Sequence, residues 1–310
     1  MIGRTLAIAM NTYREAVRAR VLLGLLAAAV AASLYTIVIA SMSIRGETRI
    51  VADVGSASIS LMSVLTAIIL GATSLYRELE LKTVFPILTR RLRRHEYVIG
   101  KYLGIVATLV AFISIDGAVD LGILAFQTKE HTVLNIVAWN VLIAILGFLV
   151  LRAKHTRVFV VLPWGLAAYA TMALLAAGAG GERQVVLVST LLTLAEVVIV
   201  AAVAMLFSSF SSPFLTAIFT VMVWLVGRST DTAASIPDRF FGKGIAMFGR
   251  GVAFVFPNLF MYVPARPLLL GQVPDMPLPM YIAKAWLIAL AYAAVLLAAS
   301  GIVFRRRDFQ

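Results

Sequence analysis

The 310-residue chain has no cysteine and little charge, and each absence excludes a class of protein. Without cysteine it has no disulfide, no thiolate metal site and no cysteine nucleophile. Its three histidines, His95, His131 and His155, are scattered and do not have the spacing of a metal site. Charged residues make up only 14% of the chain against 61% hydrophobic residues, which is too little charge for the surface of a water-soluble protein. We therefore expect an integral membrane protein.

The chain consists instead of long apolar runs, and about 20 apolar residues are enough for a helix to cross the hydrocarbon core. We predict an all-α polytopic membrane protein with about eight transmembrane helices, forming a single transmembrane domain over 1–310 with no soluble domain. The predicted spans are Leu22–Ile44, Ser56–Tyr76, Tyr97–Phe126, Val133–Leu151, Val158–Ala177, Val185–Phe207, Phe214–Gly227 and Ile282–Phe304. The seventh is short, so we expect it to take residues from Ser208–Pro213 or Ser229–Thr232.

The formal net charge of +12 indicates orientation rather than a nucleic-acid partner, because Lys and Arg lie at the ends of apolar runs. With the N-terminus in the cytoplasm, the loops on that side carry most of these cations. We expect a multi-pass protein of the inner (cytoplasmic) membrane with both termini cytoplasmic. The first span has no small-residue cleavage site after it, which predicts that it is retained.

Residues 1–21 are predicted to form an interfacial helix that contacts membrane lipids. Polar side chains lie on one side of this helix and apolar side chains recur at helical spacing on the other. The apolar residues are Ile2, Leu6, Ala9, Met10, Tyr13, Val17 and Val21. The alternative is that this segment is only a positively charged anchor.

The densest charge lies in the segment 77–97, which we predict to be a cytoplasmic docking surface for a partner protein. The segment contains acidic and basic residues in mixed order, and paired charges of both signs fix the register of an interface. The candidate contact residues are Glu78, Glu80, Lys82, Thr83, Arg90, Arg93 and Glu96. The alternative is a solvated loop whose cations serve only topology.

Two carboxylates, Asp116 and Asp120, fall inside the third span, one helical turn apart and on one side of the helix. Adjacent carboxylates in a medium of low dielectric do not both stay ionised, so one holds a proton or shares a cation. They are candidates to line a translocation path, to bind a cationic group, or to pair with a basic residue of the outer loop. Alternatively, they are hydrated near the outer interface or bonded to the spans of 127–181.

Glu196, near the middle of the sixth span, is a further candidate for the path, or else it is neutral and bonded to a neighbouring helix. Gly100 and Gly104 predict close packing of the third span against another helix. The region 228–281 is rich in proline and aromatic residues and is predicted to be an outer loop. Within it, Gly244–Phe256 is predicted to form a short helix that lies on or dips into the interface.

Several stretches, in this order, resemble the ABC transporter type 2 permease family. They are Asn11–Arg18, the pattern Glu78-x-Glu80-x-Lys82-Thr83 with Gly100-Lys101 at the next span, Phe207–Phe214 and Arg306–Phe309. Pro257-Asn258-Leu259 resembles the branch associated with multicopper-enzyme maturation and nitrous oxide reductase assembly. The chain departs from that pattern at Thr89–Arg94, which lacks a proline, and at 127–181, which looks like a helix pair inserted into a six-helix core.

The resemblance implies the membrane-spanning permease subunit of an ATP-driven exporter, paired with a second copy of itself or with a related permease. The chain has no Gly-x-x-x-x-Gly-Lys-Ser/Thr loop, so we expect it not to be an enzyme and to hold no cofactor. ATP and Mg²⁺ are then bound by a separate nucleotide-binding subunit. The alternative is an ion-coupled secondary transporter that uses the intramembrane carboxylates. A membrane enzyme is less favoured, since no His-rich or nucleophile constellation is present. The intramembrane acids and the docking segment argue against a purely structural anchor.

Overall fold

A computed structural model describes residues 2–43, 46–80, 94–153, 156–236, 238–274 and 276–306. Within these ranges the chain forms eleven α-helices and three short 3-10 helices, with no β-strand. The α-helices are α1 (Ile2–Arg18), α2 (Arg20–Ser41), α3 (Glu47–Glu80), α4 (Arg94–Gln127), α5 (Thr132–Arg152), α6 (Val161–Leu175), α7 (Gly181–Ser208), α8 (Pro213–Ala234), α9 (Asp238–Val255), α10 (Arg266–Leu269) and α11 (Leu278–Arg306). The 3-10 helices are η1 (Arg157–Val160), η2 (Ala176–Ala179) and η3 (Phe260–Tyr262).

Eight of these helices, α2 to α8 and α11, are long and apolar enough to cross a membrane, with η1 and η2 extending α6 at its two ends. The protein is therefore a multi-pass helical membrane protein, as its composition predicts. The short seventh run becomes α8 by taking Ser229–Thr232, one of the two predicted extensions. Pro213 occupies the first turn of α8. Backbone N–H groups have no partner within the helix there, so the missing N–H of proline costs no hydrogen bond.

We refer to the two ends of the bundle by the ends of α3, as the Glu47 end and the Glu80 end. The helix α7 lies at the centre, because it is apolar on nearly every side and almost wholly buried. It packs closely on α3, where the missing side chain of Gly71 admits Ala204 of α7. Tyr102 of α4 donates a hydrogen bond to the Val198 carbonyl of α7 at 2.9 Å, so α4 joins the same core.

The amphipathic helix α1 packs on the first turns of α4. Ala9 and Tyr13 of the predicted apolar stripe are buried, whereas Leu6 and Met10 stay exposed. A Cβ added at Gly104 would lie 2.6 Å from the Ala9 carbonyl oxygen, and one at Gly100 would meet Ile8 and Thr5 in the same way. The close approach predicted for these glycines is confirmed, and the position of α1 in the membrane interface stays a prediction.

The predicted helix pair of 127–181 is α5 and α6, and both helices pack against α4 through its glycines. Gly122 faces the indole of Trp139 in α5, and Gly117 faces the ring of Tyr169 in α6. Asn135 of α5 adds a hydrogen bond from Nδ2 to the Gly122 carbonyl at 2.8 Å. The pair is thus packed on the helix that carries Asp116 and Asp120.

The region predicted as an outer loop from residue 228 begins later, because α8 continues to Ala234. The predicted boundary was wrong since Arg228 is held inside the bundle by a partner on another helix, described below. The predicted short helix is present as the main part of α9. Gly242 interrupts α9 with φ of 83°, a backbone conformation that favours glycine, and the helix resumes after it and ends at Val255.

Candidate functional site within the helical bundle

The predicted docking segment falls largely outside the part of the chain that the structure describes. Lys82, Thr83, Arg90 and Arg93 lie there, as do the side chains of Glu78 and Glu80. The remaining member, Glu96, lies in the first turn of α4 and is 4% exposed. Its burial places it in the packing of α4 rather than on an open docking face.

The two carboxyl groups of α4 are fully buried. Ser33 of α2 donates a hydrogen bond to Asp116 Oδ1 at 3.0 Å. Asp116 Oδ2 and both oxygens of Asp120 have no hydrogen-bond partner among the described residues. Both side chains are 0% exposed, so neither lies on the outer surface of the bundle. Nor does a basic residue of the outer region pair with either one in the described ranges.

Asp120 points at α3, into space that only glycine leaves open. A Cβ added to Gly55 would overlap the Asp120 carboxylate. An unpaired carboxyl group in this position is costly to bury, since it has exchanged water for apolar surroundings. Such a group in the membrane-spanning part of a protein is a functional candidate by default.

A second buried charged group joins α7 and α8. Arg228 of α8 donates from Nε to Glu196 Oε1 at 2.9 Å and from Nη2 to Glu196 Oε2 at 2.8 Å. The glutamate is 0% exposed and the arginine side chain 26% exposed. This is a two-point, charge-assisted pair, the arrangement in which arginine holds a carboxylate most strongly.

Two neighbours complete the Glu196 pair. Trp224, one turn before Arg228 on α8, donates from Nε1 to Glu196 Oε1 at 2.9 Å, and its ring lies 5.2 Å from the guanidinium carbon. Ser60 of α3 accepts a hydrogen bond from Arg228 Nη2 at 2.7 Å. The pair therefore links three helices. Glu196 is bonded to a neighbouring helix, as one alternative expected, but through an ion pair with Arg228 rather than as a neutral carboxyl group. A part in a translocation path stays a prediction.

Arg228 and Trp224 were not among the predicted site residues. From the sequence alone, Arg228 is predicted to lie in the outer loop, where a cation needs no explanation. A signal was present, because Trp224 and Arg228 are four residues apart and so share one helix face at the end of the seventh run. The position of that face opposite Glu196 depends on how α7 and α8 pack.

A third charged cluster lies at the Glu47 end, and none of its members was predicted. Arg266 of α10 binds both Asp53 of α3 and Glu182 of α7. Arg49 Nε lies 3.6 Å from Oδ2 of the same Asp53. Burial lowers the pKa of Arg266, but the hydrogen bond that Arg266 donates to Glu182 and the nearby Asp53 carboxylate outweigh it and raise the pKa above its usual value. Arg266 is therefore a permanent cation between two helices.

Fold and charges together define a multi-pass helical membrane protein with ionisable groups held inside the bundle, an architecture compatible with a transporter subunit. No protein-family model and no curated protein matches the chain.

Proposed function

We propose that this chain is the membrane-spanning permease subunit of an ATP-binding-cassette exporter. It works in the inner membrane with both termini cytoplasmic, as a dimer with itself or with a related permease. A separate nucleotide-binding subunit hydrolyses ATP and docks on the charged segment between α3 and α4. The order of an amphipathic helix, two spans, a charged segment and a third span supports this proposal, and is the order on which the family resemblance rests.

The observation that carries the proposal is the packing around that segment. The helix α1 is seated on the start of α4 at Gly100 and Gly104, directly after the charged residues. Lys101 of α4 donates a hydrogen bond to the Ser74 carbonyl of α3, so the helices on both sides of the segment are joined. A push on the segment therefore moves α1, α3 and α4 together.

The moving helices lead to the candidate path. Closure of the ATPase subunits tilts α4, and with it Asp116 and Asp120, against α2 and α3. The packing partners of these carboxyls, Ser33 and Gly55, lie on those two helices. Glu196 acts in this scheme as part of the joint between α7 and α8, because Arg228 already neutralises its charge.

Purification of the tagged full-length chain from its own membranes tests the proposal. We expect a nucleotide-binding subunit to co-purify stoichiometrically and the eluate to hydrolyse ATP. The variant Glu78→Lys/Glu80→Lys is expected to lose both. The control is Glu47→Lys, which reverses one glutamate at the exposed opposite end of α3 and is expected to keep both. Equal co-purification in all three proteins contradicts the proposed docking site.

The second candidate function, an ion-coupled secondary transporter, is favoured by the unpartnered oxygens of Asp120. A carboxyl group without a partner in the bundle is typical of a proton or cation relay. Such a carrier purifies without an ATPase and responds to an ion gradient. A chain that is isolated and indifferent to ATP supports this candidate, and Asp116→Asn/Asp120→Asn is then the variant expected to abolish ion flux into proteoliposomes.

A further inference from the structure

A cavity of about 350 Å³ opens at the Glu47 end, between α3, α7, α8 and the stretch from η3 to α10. Its volume falls within the ~300–1,000 Å³ typical of small-molecule sites. Arg228 and Arg266 both line it, so it connects the buried Glu196 pair with the Arg266 cluster.

The charges that face this cavity are mostly positive. Arg49, Arg228 and Arg266 line it, and Asp53 is the one carboxylate among the described residues that does so. Glu196 and Glu182 are paired with Arg228 and Arg266 but do not line the cavity themselves. A ligand that enters therefore meets guanidinium groups first.

Arg228 has donors left for a ligand. Its Nε and Nη2 bind Glu196 and Ser60, whereas Nη1 has no hydrogen bond to any residue in the described ranges. Arg228 lines the cavity and its side chain is 26% exposed, whereas Glu196 is completely buried.

Arg266 can exchange a partner without leaving a charge unpaired. It binds Asp53, which is also 3.6 Å from Arg49, so two arginines share one carboxylate. If an anion takes the place of Asp53 at Arg266, Asp53 keeps Arg49. Glu182 continues to hold Arg266 on α7 during the exchange.

The walls between the two arginines suit an apolar body. Trp224, Val185 and Leu269 contribute apolar surface, and Ser189 and Thr193 contribute hydroxyl groups. Mostly apolar walls with a few polar groups placed to orient a ligand are typical of organic-molecule sites.

We propose that this cavity binds a small organic anion, with its carboxylate or phosphate received between Arg228 and Arg266 and its apolar part against Trp224. The site belongs to this chain alone, so the proposal goes beyond the exporter function and is tested without an ATPase subunit.

The test is isothermal titration of the purified full-length chain in detergent, at constant ionic strength, with benzoate, phenylphosphate and benzamide. Benzamide has nearly the shape of benzoate without its charge. We expect at least one of the two anions to bind about tenfold or more tightly than benzamide, because a charge-assisted hydrogen bond is lost with the neutral probe. The tighter of the two anions identifies carboxylate or phosphate as the preferred group.

Two variants locate the site. Ala57→Trp fills the cavity and leaves every charge in place, since Ala57 lines the cavity from α3. Arg266→Gln removes one receiving group. Each is expected to weaken anion binding about tenfold or more, and the control Arg152→Gln, an exposed arginine on α5 at the other end of the bundle, is expected to leave it unchanged. Failure of both anions to bind, equal binding of benzamide, or full anion binding by Ala57→Trp overturns the proposal.

Discussion

Arg228 of α8 binds Glu196 of α7 through two nitrogens at once, at 2.9 and 2.8 Å, with the glutamate fully buried in the bundle. Taking both charges out of water is costly, and their attraction repays that cost only when further hydrogen bonds satisfy the remaining donors and acceptors. Trp224 provides such a bond to Glu196 Oε1 and Ser60 one to Arg228 Nη2, while Arg228 Nη1 has none in the described ranges. The joint between α7, α8 and α3 therefore depends on both charges being present together.

The first prediction concerns removal of one partner of this pair. Arg228→Gln leaves a fully buried carboxylate without a cation, which is expected to cost about 3–5 kcal/mol. Glu196→Gln is expected to cost less, because the Arg228 side chain is 26% exposed and keeps contact with water and with Trp224. The double variant is expected to recover part of the loss. Thermal unfolding in detergent measures all three, and strictly additive losses contradict the coupling.

The second prediction is that position 55 requires glycine because any larger side chain overlaps Asp120. Gly55→Ala places a methyl group into the carboxylate and is expected to destabilise the fold by about 1–3 kcal/mol through overpacking. Adding Asp120→Ala is expected to restore stability by removing the overlapping atoms. The yield of monodisperse protein and its unfolding temperature are the measurements.

Gly24→Ala is the matched control for Gly55→Ala. It is also a helical glycine, in α2, and a Cβ there meets nothing within 4 Å. Alanine at an exposed helix position is neutral or stabilising relative to glycine. Equal losses for the two substitutions would show that contact with Asp120 is not the cause.

The third prediction concerns the packing of α1 on α4. Gly104→Ala brings a methyl group to 2.6 Å from the Ala9 carbonyl oxygen, and a backbone atom cannot move aside cheaply. We expect α1 to loosen and trypsin to cut faster after Arg14 and Arg18. Gly3→Ala, in open space on α1, is the control. An unchanged cleavage rate in Gly104→Ala argues against close packing of α1 on α4 at this glycine.

The fourth prediction separates a partly buried ion pair from an exposed one. Arg266 is 18% exposed and links α3, α7 and α10, whereas Arg49 is 64% exposed and pairs within α3. Exposed pairs contribute about 0–1 kcal/mol. Arg266→Gln is expected to speed hydrogen–deuterium exchange over the stretch from η3 to α10, and Arg49→Gln to leave it unchanged. Equal effects of the two contradict this assignment.

Several features were predicted because their signal is local. The close approach at Gly100 and Gly104 follows from glycine at helical spacing, and the extension of α8 follows from the minimum length of a span. The burial of Asp116 was not predictable in the same way. Ser33, which donates a hydrogen bond to it, is 83 positions away in the chain, and the sequence around neither residue indicates that the two are in contact.

The sequence by itself determined the class of fold, since the length and apolarity of each run decide whether a helix can cross hydrocarbon, and neither depends on neighbouring helices. It also located the three intramembrane carboxylates. Only the tertiary structure decided their partners: Glu196 meets Arg228 from 32 positions away and Arg228 meets Ser60 from 168. Such pairs form where two helices pack face to face, and an ion pair requires contact across a few ångströms that a linear pattern does not contain.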